Sequence, residues 1–296
     1  MLTATEAAQL DRFALAARTA AVSAAGRRPV NARGYSLEFH DYRHYQPGDD
    51  PRTIDWAIDA RLRQLVVRLY RAEGHVPLHL LVDTSGSMGT GDPAKLQTAA
   101  RAAAALAYVA ARRRDPLALA AFDTTLRLAV APGAGRPHLL RVLDALERFA
   151  PRGASSFDRP LTDYGTAVRG PGLAIVLSDL LGGDATPPGL VQGFDGLRFL
   201  LHRGFSVALV HVLTRDEVAP VIAESVELVD PEATLPAMIV DPVDAAAYAA
   251  RVRAFIAEVR SFCAAHSVAY VPLHGESGMD AILGGCLSAG VLALHG

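Results

Sequence analysis

Beyond Pro77 the chain alternates short apolar runs with longer stretches of helical period. The runs are Leu78 to Val82, Leu117 to Phe122, Leu126 to Val130, Leu173 to Leu177, Val207 to Leu213 and Val268 to Val271. Unbroken apolar strands suit a sheet covered on both faces, and their alternation with helices predicts βα units around a mostly parallel sheet. Asp123-Thr124-Thr125 joins two runs tightly enough to predict an antiparallel hairpin at one sheet edge. The clearest helix is predicted from Pro93 to Arg114, with Asp92 as its cap and Leu96, Ala100, Ala103, Leu106 and Ala110 in one apolar stripe. Arg112, Arg113 and Arg114 suit the negative end of that helix. Further helices are predicted at His138 to Phe149, Pro188 to His202 and Val243 to Ala265.

Upstream the pattern differs. Thr3 and Glu6 have capping-box spacing and predict a helix running to about Ala25, stopped by Gly26 and Pro29. From Gly34 to Glu73, Tyr, His, Asp and Arg crowd together around a Pro47-Gly48 turn, and Leu65 to Tyr70 reads as a strand. The expected division is therefore a helical and β-rich polar appendage over 1–76 and a doubly wound α/β domain of Rossmann type over 77–296.

Composition narrows the class. The 296 residues are 51% hydrophobic and 20% charged, and 29 Lys+Arg against 31 Asp+Glu leave a net charge of -2. That balance fits neither a disordered acidic chain nor a basic nucleic-acid-binding arm, so no nucleic-acid partner is expected. The longest uncharged stretch, Ala281 to Leu294, is too short and Gly-rich to span a bilayer. The N-terminus lacks the basic start and apolar core of a signal peptide, and only Cys263 and Cys286 occur. A soluble, cytoplasmic, reduced protein is expected. Cys263, on a helix with Phe255, Ile256, Val259 and Phe262, reads as a buried inert thiol.

The chemistry concentrates where strands end. Asp83-Thr84-Ser85-Gly86-Ser87 follows a buried strand and presents a carboxylate and two hydroxyls at alternate positions on a Gly-rich turn. Ligands of open α/β sheets bind outside the carboxyl ends of the strands. Ile175 to Leu180 repeats the pattern and offers Asp179; Gly153-Ala154-Ser155-Ser156-Phe157 adds a hydroxyl from a loop. Asp83, Ser85, Ser87, Ser155 and Asp179 thus make an all-oxygen candidate site for a hard cation such as Mg²⁺, which is often held by only one or two carboxylates.

These motifs, over about Pro77 to Val271, resemble the metal-ion-dependent adhesion site of von Willebrand factor A domains. Asp83, Ser85 and Ser87 match its first motif and Asp179 its third; Ser155 stands where the second usually has Thr, with Ser156 beside it as an alternative. The resemblance implies a doubly wound fold that binds Mg²⁺ or Mn²⁺ and captures an acidic side chain of a protein partner. Upstream, Tyr42-Arg43-x-Tyr45-x-Pro47-Gly48-Asp49-Asp50-x-Arg52-x-Ile54-Asp55-Trp56, followed by Ala60-Arg61, is similar to the signature of the bacterial domain-of-unknown-function fifty-eight family. Members carry a von Willebrand A-like domain and are commonly encoded beside MoxR-type AAA+ ATPases. The resemblance implies a non-enzymatic adaptor or substrate selector for such an ATPase in a chaperone-like assembly.

Competing readings are weaker. Ser85-Gly86-Ser87-Met88-Gly89 approaches the nucleophile elbow of an α/β-type serine hydrolase, with Ser87, Asp179 and then His211 or His274 in the expected order. However, Ser85 replaces the first Gly, and the helix begins only near Pro93. A haloacid-dehalogenase-like phosphatase wants a second Asp at position 85, and no phosphate-binding Gly-Lys loop exists. His40 and His44 lack the intervening Glu of a zinc-protease helix. Arg43, Asp49, Asp50, Arg52, Asp55 and Arg61 read as an ion-paired platform, or alternatively as a partner-binding surface.

Overall fold

Thr3 and Glu6 close the expected capping box, each side chain accepting from the other's backbone N–H, and start α1 (Ala4–Leu10). The helix stops there rather than near Ala25. Phe13–Leu15 instead forms a strand, β1, paired antiparallel with Leu292–Leu294 at the far end of the chain. That pairing joins residues almost the whole sequence apart, so local propensity could not foretell it. The computed structural model describes residues 3–15, 36–45, 54–73, 75–168, 170–181, 194–232 and 236–294.

The chain divides into two compact units, one of Met1–Ala17 with Val76–Gly296 and one of Arg18–His75. The sequence division groups the first helix with the appendage, whereas here it belongs with the α/β unit. Arg101 pairs with Glu6 at 2.8 Å, and the Tyr108 hydroxyl donates to Asp11 at 3.0 Å. In the smaller unit, β2 (Ser36–His44) pairs antiparallel with β3 (Val66–Glu73), with an irregularity between Phe39 and Asp41. Between them lies α2 (Trp56–Leu62), which follows the buried Asp55. Asp49, Asp50 and Arg52 of the expected platform lie outside the described residues.

The larger unit is built on β4 (Leu78–Asp83), β5 (Leu117–Phe122), β6 (Leu126–Gly133), β7 (Leu173–Ser178), β8 (Ser206–Leu213) and, after two short strands, β9 (Val226–Leu228) and β10 (Met238–Val240), on β11 (Ala269–His274). The six-stranded sheet has the order β11-β8-β7-β4-β5-β6. All neighbours are parallel except the β5–β6 hairpin, which is antiparallel as predicted. Every residue of β4, β5 and β7 is buried, as a sheet sandwiched between helix layers requires.

Two apolar clusters cover the sheet. Leu78, Leu80 and Val82 face one of them, which includes residues of α3 (Lys95–Arg112), α4 (Arg136–Glu147) and, near the C-terminus, Ile282 and Leu283. Leu81 points into the other, with residues of α5 (Asp158–Ala167) and α6 (Asp195–His202) and, beyond the short α7 (Arg215–Val218), of α8 (Pro242–Ala265). α9 (Met279–Ser288) and β12 (Leu292–Leu294) complete the unit. The predicted helix at Pro93 starts at Lys95 and Asp92 does not cap it; the helix predicted from Pro188 is described only from Asp195. Among the described residues, no helix is long and apolar enough to cross a membrane.

Candidate metal centre

From β4 the chain crosses to β5 on one side and later returns to β7 on the other, so a topological switch falls between β4 and β7. Asp83 ends β4, and Asp179 directly follows β7. Both side chains are fully buried. Asp83 Oδ1 accepts from the Ser85 N–H at 2.9 Å and Oδ2 from the Ser178 hydroxyl at 2.6 Å. Burial, then the neighbouring Asp179 charge, push Asp83 up to about 7 against these hydrogen bonds.

The Gly-rich turn after Asp83 becomes a short 3₁₀ turn, Gly86–Gly89, rather than a helix start. It sets the Ser85 and Ser87 hydroxyl oxygens 3.1 Å apart. Adjacent oxygens of a Mg²⁺ octahedron are separated by about 3.0 Å, so this spacing suits one edge of such a shell. Gly86 donates to the Gly153 carbonyl at 2.9 Å, and Arg152 N–H donates to the Thr84 carbonyl at 2.8 Å, tying the Ser155 loop to the turn. A Cβ at Gly86 would lie 2.8 Å from the Pro231 carbonyl oxygen and 3.1 Å from that of Gly153, so only glycine fits between the two segments.

Asp179 is held differently from Asp83. Its Oδ1 accepts from the Leu181 N–H at 2.9 Å, and its Oδ2 meets Lys95 Nζ at 2.7 Å. Leu180 between them adopts φ 55, the left-handed region that a branched side chain rarely takes, a local strain at the strand end. Lys95 is fully buried and also pairs with Glu217. Burial opposes its charge, but Asp179 and Glu217 outweigh it and hold the ammonium above the ordinary lysine range. Glu217 is placed by a capping box with Thr214 at the start of α7.

A residue that the motifs do not contain completes the group. Glu232 Oε2 accepts from the Ser155 N–H at 2.9 Å, while Oε1 is buried without a hydrogen-bond partner. Burial raises its pKa above the ordinary glutamate value; the N–H of Ser155 and the hydroxyl and N–H of Ser87 oppose that shift, and the Asp179 charge adds to it. Asp83 thus contacts Ser85 and lies beside the Asp179 charge, Ser85 contacts Ser87, and Ser155 joins the group through its backbone N–H; Ser178, Lys95, Glu217 and Glu232 were not among the expected residues. Ser156 donates its N–H to the Asp123 carbonyl at 3.1 Å.

The donors are all oxygen, the ligand type a hard divalent cation takes, but among the described residues no group of three or more His, Cys, Asp or Glu side chains is arranged to hold a metal ion. Asp83, Asp179, Glu217 and Glu232 bring four carboxylates and Lys95 one ammonium, so the cluster has an uncompensated negative charge when ionised. Ser87 lies 3.1 Å from Ser85 rather than against an imidazole. His211 is buried, its ring nitrogens engaged by the Asp179 carbonyl at 3.0 Å and the Tyr270 hydroxyl at 2.9 Å, and burial drives it down to about 4. His274 is exposed. With both ring nitrogens engaged, His211 is not placed as the base of a Ser87 triad. Both cysteines are buried, and burial raises Cys263 to about 11 and Cys286 to about 12.

A doubly wound sheet bearing Asp-x-Ser-x-Ser at the tip of a central strand defines a von Willebrand factor A-like α/β protein. More specifically, the chain belongs to the family described as protein of unknown function DUF58, whose model matches residues 41–254. Among curated proteins it is similar to the uncharacterized protein Rv1480 of Mycobacterium tuberculosis (strain ATCC 25618 / H37Rv), with 32% identity over 158 residues covering 50% of this chain and 49% of that protein. The chain spans about half the length of the curated relatives it matches. Among solved structures it is similar to the conserved hypothetical protein BatB from Bacteroides thetaiotaomicron, with 12% identity, a TM-score of 0.45 and coverage of 72% of this chain and 98% of that one. It is also similar to a von Willebrand factor type A structure from Catenulispora acidiphila, with 20% identity, a TM-score of 0.34 and coverage of 50% and 35%.

Proposed function

We propose that the chain is a non-catalytic protein-interaction module whose binding depends on a divalent cation. Asp83, Ser85, Ser87, Ser155 and Asp179 hold Mg²⁺ or Mn²⁺, and the remaining coordination position takes an acidic side chain of a protein partner. When bound, the cation supplies a Lewis-acidic centre with a coordination position open to a carboxylate oxygen, the Asp83 and Asp179 carboxylates offsetting much of its charge. The chain's residues orient it: Ser178 and the Ser85 N–H fix the Asp83 carboxylate, and Lys95 with the Leu181 N–H fixes that of Asp179. The observation that carries this reading is Glu232, a carboxylate outside the expected motifs that accepts from the Ser155 N–H and is held by the hydroxyl and N–H of Ser87, beside the Asp179 charge.

The family resemblance supports a MoxR-type AAA+ ATPase as the partner, with this chain acting as adaptor or substrate selector. Calorimetry of Mg²⁺ and Mn²⁺ binding tests the cation: the parent binds, Asp83→Ala does not, and equal affinity in both refutes the site. Co-purification with the ATPase, with and without EDTA, tests the partner. Loss of the complex in EDTA is expected, and EDTA-insensitive binding places the interface elsewhere.

A further inference from the structure

The segment that carries Glu232 is attached unlike the rest of the site. Among the described residues, Val226–Leu228 and Met238–Val240 pair with one another and not with the six-stranded sheet. All three residues of β9 are exposed. A two-stranded hairpin without a covering layer has little stability of its own. Yet the stretch after β9 reaches the centre of the candidate site. Asp230 Oδ1 accepts from the Glu232 N–H at 2.9 Å in a tight turn, the Pro231 carbonyl sits against Gly86, and Glu232 reaches the Ser155 N–H.

A carboxylate on a segment outside the six-stranded sheet, accepting from the Ser155 N–H, is chemically what the proposed function requires of a visiting partner. Every other acidic group of the site belongs to, or closely follows, a strand or helix of the main sheet: Asp83 and Asp179 at strand ends, Glu217 in α7 after β8. Glu232 alone comes from outside that framework.

We infer that Glu232 is an internal stand-in for the partner's acidic residue: the site accepts a glutamate in an Asp-Pro-Glu-like turn, and the partner must displace Glu232 to bind. This rests on the proposed function and deepens it, naming the ligand as a glutamate-bearing peptide. Glu232 therefore lowers the apparent affinity for any outside carboxylate by the fraction of time it leaves the position open.

The experiment uses the full chain and Mn²⁺, with an acetylated, amidated Val-Asp-Pro-Glu-Ala peptide as probe. Mn²⁺ binding is read by electron paramagnetic resonance and peptide binding by fluorescence polarisation, in the parent, Glu232→Gln and Glu232→Asp. Glu232→Asp keeps the charge but shortens the reach, and guards against a folding defect peculiar to Gln. All three proteins are expected to bind Mn²⁺, and both variants to bind the peptide at least about tenfold more tightly than the parent, corresponding to a position open about a tenth of the time. A peptide with Gln in place of Glu is expected not to bind. If no protein binds Mn²⁺, the proposed function fails first. If Mn²⁺ binds equally but peptide affinity is the same in parent and variants, only the stand-in role fails. Loss of Mn²⁺ from the variants alone makes Glu232 a resident ligand, which also overturns the inference.

Discussion

Replacing Lys95 by Met removes the ammonium at the centre of the carboxylate cluster while keeping most of the side-chain volume. Lys95 Nζ lies 2.7 Å from Asp179 Oδ2 with both side chains fully buried, and the Glu217 carboxylate on its other side is only 16% exposed. At an effective dielectric constant of about 20 the first contact alone represents roughly 6 kcal/mol of attraction. Much of that is offset by the cost of desolvating the two ions, so the pair adds far less than this to net stability. Breaking it is different, because the partner carboxylate stays buried without its counter-ion. The expected loss is about 3–5 kcal/mol. Proton uptake limits the penalty, since neutralising an ordinary aspartate costs about 5 kcal/mol at pH 7.5 and about 2 kcal/mol at pH 5.5. Urea unfolding in EDTA, followed by circular dichroism, should show a lower midpoint with unchanged slope and a deficit that shrinks on acidification. A deficit below about 1 kcal/mol at pH 7.5, or one that stays constant with pH, would refute the reading of Lys95 as the buried counter-ion.

Two further expectations concern the frame around the site. Gly86→Ala forces a Cβ to within 2.8 Å of the Pro231 carbonyl and 3.1 Å of that of Gly153; a loss of about 1–3 kcal/mol is expected by chemical denaturation, with faster proteolysis after Val229, and unchanged stability counts against the close packing. His79 is buried, with Nδ1 2.8 Å from the Tyr164 hydroxyl and Nε2 without a partner, and burial holds it down to about 4 from 6.5. Because the folded value is depressed, its contribution is intact above 6.5 and is lost as the pH falls towards 4, the unfolded chain binding the extra proton. His79→Phe should therefore gain about 2 kcal/mol on the parent between pH 7.5 and pH 5; parallel stability curves would contradict this.

The centre of the sheet was legible because β4, β5, β7 and β8 are buried on both faces, so burial wrote unbroken apolar runs into the sequence, while the mostly unburied β6 was legible through its tight hairpin turn. Leu117–Phe122 coincides with its predicted run, and β4, β6, β7 and β8 extend theirs by one to three residues. Exposed or long-range elements were not legible. β9 has no buried residue, and β1 depends on a strand at the opposite terminus. The motif residues Asp83, Ser85, Ser87, Ser155 and Asp179 stood out in the sequence because their chemistry is unusual at strand ends. Lys95 was missed because a lysine opening a helix reads as solvated, and only the fold turns it inward. Glu217 did carry a signal, the Thr214-x-x-Glu217 capping spacing, but that spacing gives a helix start rather than a site. Glu232 gave none, since Asp-Pro-Glu reads as an ordinary turn.

The internal position of Glu232 bears on where partner specificity must reside. A carboxylate tethered beside its own site competes at an effective concentration of roughly millimolar, whatever the protein concentration. A partner present at micromolar levels and offering a glutamate of equal intrinsic affinity is outcompeted about a thousandfold, a gap of about 4 kcal/mol. The cation site thus selects for an acidic group without selecting among acidic groups; the missing free energy has to come from surface outside the site, brought in by the same partner. A partner that relies on such outside contacts should still bind the parent chain, and should gain from Glu232→Gln by the same factor as the isolated peptide, because both are relieved of one competitor. Unequal gains would mean that the hairpin does more than carry its glutamate, contributing contacts to the partner that the substitution leaves in place.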